Sequence, residues 1–281
     1  MALTKLKRAR NSLLNVSTLP PEVLGNVFRW NVTLDGDFGG LERRSHNFLH
    51  VCHHWFEVAS SAPELWGFWG NTPQDWARWC HHSGTAPLDL VLNIKYGDDP
   101  LGTTLYNVLQ DRATQDTIRR VHLKAEDPEF LTSIIASITA NSQEVRSNNV
   151  ESLILWNNNS DESVDISDFF SHYHLPKLER LQLVNCTALS WDFITSRSPV
   201  LTTLDLSFSH TSPSPITSQL LSILASYPTL QEVSLFYHEG PGDGGGNPSP
   251  RVSLCYLKKL KSCKLSSGFS IGWTIPDTWI I

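Results

Sequence analysis

The chain lacks the features that would mark a secreted scaffold, a membrane span or a nucleic-acid binder. Its 5 cysteines, Cys52, Cys80, Cys186, Cys255 and Cys263, are odd in number, and none stands in a Cys-x-x-Cys pair. That usage suits a reduced intracellular chain better than a disulfide framework. No apolar run approaches the roughly 20 residues that a bilayer-spanning helix needs, so no membrane is expected, and a cytoplasmic or nuclear location is. Basic residues number 22 against 28 acidic ones, for a formal net charge of −6, and they form no stripe. Duplex binding usually needs clustered Lys and Arg facing phosphates, so nucleic acid is not expected as the principal partner. There is no His-Glu-x-x-His helix and no P-loop, and catalysis is not the expected role. Met1 to Ser17 carries Lys5, Lys7, Arg8 and Arg10 without an acid. It lacks the apolar block of a secretory signal. A mitochondrial transit peptide would also be basic and acid-poor, but a solvated tail leading into the first helix is the plainer reading.

What is present divides into two patterns. The first runs over residues 18–70 as a short helical module. Leu19-Pro20-Pro21-Glu22-Val23-Leu24 is a helix-start signal, since proline suits the first turn and an acid suits the positive end of the helix dipole. Val23, Leu24, Val27 and Phe28 recur at helical spacing. A loop with Gly36, Gly39 and Gly40 follows. A second helix is expected along Phe48, Val51, Cys52, Trp55, Val58 and Ala59, and a third short piece at Glu64-Leu65-Trp66. Residues 71–87 read as a Trp-rich connecting helix. Trp66, Trp69, Trp76 and Trp79 could form a ligand cage, but large rings more often cement an internal interface. His50, Cys52, His53 and His54, with Cys80, His81 and His82, are ligand types that suit zinc. Their spacing defines no site, and no metal or other cofactor is expected.

The second pattern occupies residues 88–281. Leu88 to Leu92 alternates like a strand, and the frame L-x-x-L-x-L then recurs. It appears at Ile118–Leu123, Val150–Leu155, Leu178–Leu183, Leu201–Leu206, Leu230–Leu235 and Leu260–Leu265. The middle apolar positions 121, 153, 181, 204, 233 and 263 are 32, 28, 23, 29 and 30 residues apart. In L-x-L both apolar side chains point to one face of a strand and the residue between them points away. Helix-like stretches separate the frames, including Phe130 to Ile138 and Val164 to Tyr173. A unit of this kind buries its apolar face only against its neighbours. Asn158 and Cys186, three residues after the last leucine, are expected to support the turn off the strand. The Gly-rich segment Gly240 to Pro248 lacks the Lys-Ser/Thr of a phosphate loop and reads as a flexible connection.

The two patterns resemble known families. The repeated frame is similar to an irregular leucine-rich repeat, which implies an α/β fold: a curved parallel sheet with helices on its convex side. Residues 19 to 66 resemble an F-box. Its Leu-Pro-x-Glu-apolar-Leu opening matches Leu19 to Leu24, its next apolar pair matches Val27-Phe28, its Val-Cys-x-x-Trp matches Val51 to Trp55, and its closing Leu-Trp matches Leu65-Trp66. Trp76-Ala77-Arg78-Trp79 and Ser83-Gly84-Thr85-Ala86-Pro87-Leu88 look like the corresponding segments of large fungal F-box families. His53 and His54 stand where many F-boxes carry basic residues. The resemblance implies a substrate-recognition subunit of a cullin–RING ubiquitin ligase, bound to a Skp-type adaptor and through it to a cullin. Adaptor contact would involve Leu19, Pro20, Glu22, Val23, Leu24, Val27, Phe28, Val51, Cys52, Trp55, Leu65 and Trp66, although the stripe positions among them can equally be core. An unknown protein target would meet the outward strand positions His122, Ile154, Gln182, Asp205 and Ser234. The same repeats could serve a scaffold without any ligase link.

Overall fold

The computed structural model describes residues 19–33, 47–69, 81–82, 86–95, 116–139, 146–147, 149–159, 161–188, 191, 198–208, 223–227, 229–237 and 262–265. Trp76 to Trp79, where a helix is expected, the Gly-rich segment and the last residues lie outside them. The chain divides into two compact units, Met1–Leu92 and Asn93–Ile281. Among the described residues no helix is long and apolar enough to cross a membrane.

In the first unit, helix α1 (Pro21–Thr33) starts where the two prolines require it. The Pro20 carbonyl accepts from the Val23 and Leu24 amides at 3.0 and 3.1 Å, and Glu22 lies in the first turn. The second helix is not continuous. A 3₁₀ turn, Asn47–His50, comes first. Cys52 is then extended, with φ −160° and ψ 171°, and α2 (His53–Ser60) begins after it. The apolar stripe over 48–59 therefore spans two elements rather than one. A third piece, the 3₁₀ turn Pro63–Leu65, has proline at its start. Strand β1 (Phe68–Trp69) pairs in parallel with β2 (Leu88–Ile94). Gly67 makes that pairing possible: a Cβ there would overlap the Pro87 carbonyl oxygen.

The second unit is α/β. In chain order it contains β3 (Ile118–Ala125), α3 (Pro128–Thr139), β4 (Arg146–Ser147), β5 (Ser152–Asn157), β6 (Val164–Asp165), α4 (Ser167–His172), β7 (Tyr173–His174), β8 (Arg180–Val184), β9 (Cys186–Thr187), β10 (Thr203–Phe208), β11 (Glu232–Tyr237) and β12 (Ser262–Leu265). Strands β3, β5, β8, β10, β11 and β12 lie side by side in that order, each pair parallel. The register is the one the leucine frames require. Val121, Leu153, Leu181, Leu204, Val233 and Cys263 form one row, and Leu123, Leu155, Leu183, Leu206, Leu235 and Leu265 the next. The first five members of each row are buried. Helix α3 lies against β3 and α4 and buries Leu131, Ile134 and Ile135.

Three strands, β8, β10 and β11, also enter the sheet in the same way. One carbonyl accepts from two successive amides of the next strand: Glu151 from Glu179 and Arg180, Glu179 from Thr202 and Thr203, and Thr202 from Gln231 and Glu232. The leucine preceding each of these entries, Leu178, Leu201 or Leu230, is buried.

The turn off the strands differs from expectation. Asn158 is exposed, and Asn157, fully buried, does the supporting. The two-residue period explains this, since 153, 155 and 157 share the inner face and 158 faces away. Asn157 donates through Nδ2 to the Glu162 and Asn185 carbonyls, and Asn185 donates back to the Asn157 and Asn159 carbonyls at 3.1 and 3.4 Å. Asn185 takes φ +53°, a left-handed conformation that asparagine tolerates better than most residues. Cys186 supports the turn as expected. It is buried and its thiol approaches the Leu155 and Val184 carbonyls at 3.8 and 3.4 Å. Burial pushes that thiol up to about 12, so Cys186 stays protonated and chemically inert.

Leu204→Ala should cost about 2–5 kcal/mol, the range for a leucine removed from a packed core. Asn157→Ala should cost about 1–3 kcal/mol, because it strands buried carbonyls. Urea unfolding followed by fluorescence reads both. An Asn157→Ala midpoint equal to wild type would mean the asparagine pair does not brace the turn.

Candidate functional site

Two surfaces carry the residues singled out from the sequence. The first belongs to the helical module. Leu24 and Phe28, one helical turn apart on α1, point into a core with Phe48, Val58, Ala59, Leu65 and Trp66. Leu19, Leu49, Trp55 and Ala62 pack against that core and are partly buried. The Phe28 ring stacks on Phe48 at 4.7 Å and meets Trp55, tilted, at 5.0 Å. The Trp66 indole donates to the Ala59 carbonyl at 2.8 Å, and its ring stacks on His82 at 4.3 Å. Leu24, Phe28, Leu65 and Trp66 are therefore core residues with no surface to offer a partner.

The remaining residues divide by exposure. Pro20, Glu22, Val23, Val27 and Val51 face solvent, whereas Leu19, Cys52 and Trp55 are half-buried. On α1 the exposed Val23 and Val27 are continued by Trp30, which is 65% exposed. Trp30 is not among the expected contact residues. Its position three residues after Val27 was the available signal, because 23, 27 and 30 lie on one helical face. α1 is thus apolar on two faces, one spent on the module core and one turned to water. Val51 and Phe56 add exposed apolar side chains elsewhere on the module. Arg29 bridges α1 to Glu64 at 3.5 Å, an exposed pair worth little by itself.

The second surface is the outward face of the parallel sheet. His122, Ile154, Gln182, Asp205 and Ser234 are direct register partners from strand to strand and form one row. His122, Gln182, Asp205 and Ser234 are partly accessible. Ile154 is not, at 2% exposure, which removes it from the set available for direct contact. Its flanking positions, about 5 Å away on each side, hold the longer side chains of His122 and Gln182. His122 shares a hydrogen bond with Ser152 Oγ at 2.9 Å. Burial, followed by the positive fields of Arg180 and Arg120, lowers its pKa to about 4. The ring is neutral at physiological pH.

Among the described residues no three His, Cys, Asp or Glu side chains converge as metal ligands. Cys52 is half-buried, while His50 and His53 face solvent. Gly268-Phe269-Ser270-Ile271-Gly272 has the Gly-x-Ser-x-Gly spacing of a hydrolase nucleophile turn and lies outside the described residues, as do Trp76, Trp79 and Cys80.

Leu24→Ala and Phe28→Ala should each destabilise the module by about 2–5 kcal/mol. Val27→Ser should stay within roughly 0.5 kcal/mol of wild type, as is usual for a surface change. Thermal unfolding compares them, and a Val27→Ser loss as large as that of Leu24→Ala would place Val27 in a core.

His122 also makes a pH prediction. Between about pH 4 and 6.5 the unfolded chain protonates this ring and the folded chain does not. Stability from this group is therefore complete above 6.5 and is lost as pH falls, by up to about 1.4 kcal/mol per pH unit. In His122→Gln, the stability difference from wild type should shift in the variant's favour by on the order of 1–2 kcal/mol between pH 7 and 5. Urea midpoints at both pH values measure it, and a pH-independent difference would mean that His122 titrates normally.

Comparison with protein-family models and with curated proteins returns no match.

Proposed function

We propose that this chain is an F-box substrate receptor. In this reading the helical module docks on a Skp-type adaptor, and through it a cullin. The second unit is an irregular leucine-rich-repeat solenoid that holds a protein target for ubiquitin transfer by other subunits. The chain itself performs no chemistry, and it acts in the cytoplasm or nucleus.

One observation carries the reading. α1 has a second apolar face, Val23, Val27 and Trp30, in water. Three apolar residues on about two turns of a helix are more than a small module needs to leave exposed, and such patches mark interaction sites. They fall within or beside the segment that resembles the F-box opening, Leu19 to Phe28. Burying them against a partner would contribute on the order of 1 kcal/mol each, since each is already partly covered. The in-register leucine rows support the repeat half of the reading, because stacked strand–helix units bury their apolar faces on one another.

Co-expression with a Skp-type adaptor tests this. The wild-type chain should co-purify with it in a defined complex. Val23→Glu combined with Val27→Glu should lower adaptor affinity at least tenfold with unchanged circular dichroism, since two charges would be buried without partners. A folded wild-type chain that leaves the adaptor unbound would sink the ligase reading and leave a repeat scaffold.

A further inference from the structure

The outward face of the sheet is not electrically uniform. Three register rows cross it. The first reads Arg120, Ser152, Arg180, Thr203 and Glu232. The second reads His122, Ile154, Gln182, Asp205 and Ser234, and the third Lys124, Trp156, Val184, Ser207 and Phe236. Strands β3, β5 and β8 thus bring Arg120, Lys124 and Arg180 to one half of the face with no carboxylate among their nine positions. Among these fifteen positions the two carboxylates, Asp205 and Glu232, stand on β10 and β11, and β12 continues the second row with Lys264. A chain with net charge −6 therefore carries a local cationic pole.

That pole has further character. Lys124 Nζ sits over the Trp156 ring at 4.6 Å from its centroid, so the ammonium is held beside an aromatic surface. Arg180 is exposed and reaches Gln182 Oε1 at 3.5 Å. Both guanidinium groups lie close enough to His122 to disfavour its protonation. The ring is thus kept neutral and does not add to the positive charge. Strand spacing puts Arg120 and Arg180 about 10 Å apart, and Lys124 lies about 13 Å along β3 from Arg120. Those distances match roughly four residues of extended chain and are comparable to the screening length at physiological salt.

We propose that this half of the sheet face binds an extended acidic segment of a partner protein, its carboxylates over Arg120, Lys124 and Arg180. The inference rests on the reading of the sheet face as the target surface, and it names the chemistry of that target. A continuous polyphosphate fits less well, because Asp205 and Glu232 on the adjoining strands would repel it beyond the pole. A short acidic segment can end before reaching them.

The test uses the full chain and fluorescence anisotropy. The probes are a labelled ten-residue peptide alternating Glu and Ser, its Lys–Ser counterpart, and a labelled thymidine decanucleotide. The Glu–Ser peptide should bind at least about tenfold tighter than the Lys–Ser peptide and weaken steeply at about 1 M salt. Lys124→Glu combined with Arg180→Glu should weaken it at least about tenfold, and Asp205→Asn with Glu232→Gln should leave it equal or tighter. If the double reversal does not fold, Arg180→Gln alone, at an exposed position, should still weaken binding about threefold. Equal binding by wild type and the charge variants overturns the proposal. So does tighter binding of the oligonucleotide than of the acidic peptide, which would assign the pole to nucleic acid. Adaptor co-purification is measured alongside on the wild-type chain. Its absence with peptide binding kept would count against the ligase reading alone, and its presence with peptide binding absent against the acidic-target proposal alone.

Discussion

The in-register packing of paired apolar side chains from β3 to β11 is the constraint on which the second unit depends. In a parallel sheet the strands are joined by crossovers, so local sequence cannot align them. Alignment comes from matching inner faces, and a one-residue slip would turn every leucine outward. Val121 and Leu123 meet Leu153 and Leu155, which meet Leu181 and Leu183, and so on to Val233 and Leu235. The inner rows from β3 to β11 are buried because these strands lie side by side in one sheet. The shared carbonyls at the strand entries and the reciprocal Asn157–Asn185 brace at the exit hold that register from both ends.

Everything attached to the outward face inherits this alignment. Once the leucine rows are in register, so are the residues between them. His122, Gln182, Asp205 and Ser234 lie along one line, with Arg120 and Arg180 in the row to one side and Lys124 in the row to the other. The electrical asymmetry of the face is thus a by-product of core packing plus the identity of the intervening residues. It also sets the state of His122: burial and two nearby guanidinium groups keep its ring neutral.

The helical module solves a different problem. Few residues are available to make a core, and Phe28 does most of the joining. It stacks on Phe48 and meets Trp55, while Trp66 ties α2 to the turn after Pro63 through the Ala59 carbonyl. Spending Leu24 and Phe28 on that core leaves Val23, Val27 and Trp30 in water. Much of this was legible in advance. The two prolines and Glu22 marked the start of α1, and the apolar spacing marked its inner face. The break at Cys52 was not legible, because an apolar period continues through it and only the backbone conformation reveals the change of element. Ile154 departs from expectation for the opposite reason: its strand position faces away from the leucines, but its exposure depends on side chains brought from β3 and β8.

By itself the sequence determined which residues share one face of an element. The L-x-x-L-x-L frames dictate strands with one apolar face, and the double proline dictates a helix start. Both are local consequences of side-chain direction and backbone restriction. Tertiary structure decided what those faces meet. It chose Asn157 over Asn158 as the buried brace, since only the former shares the inner face. It separated the module's core residues from its exposed stripe. It gathered Arg120, Lys124 and Arg180, spread over 61 residues of chain, onto one half of one face. The reason is common to all three: burial and field at a site are summed over neighbours distant in sequence, and only the folded register says which neighbours those are.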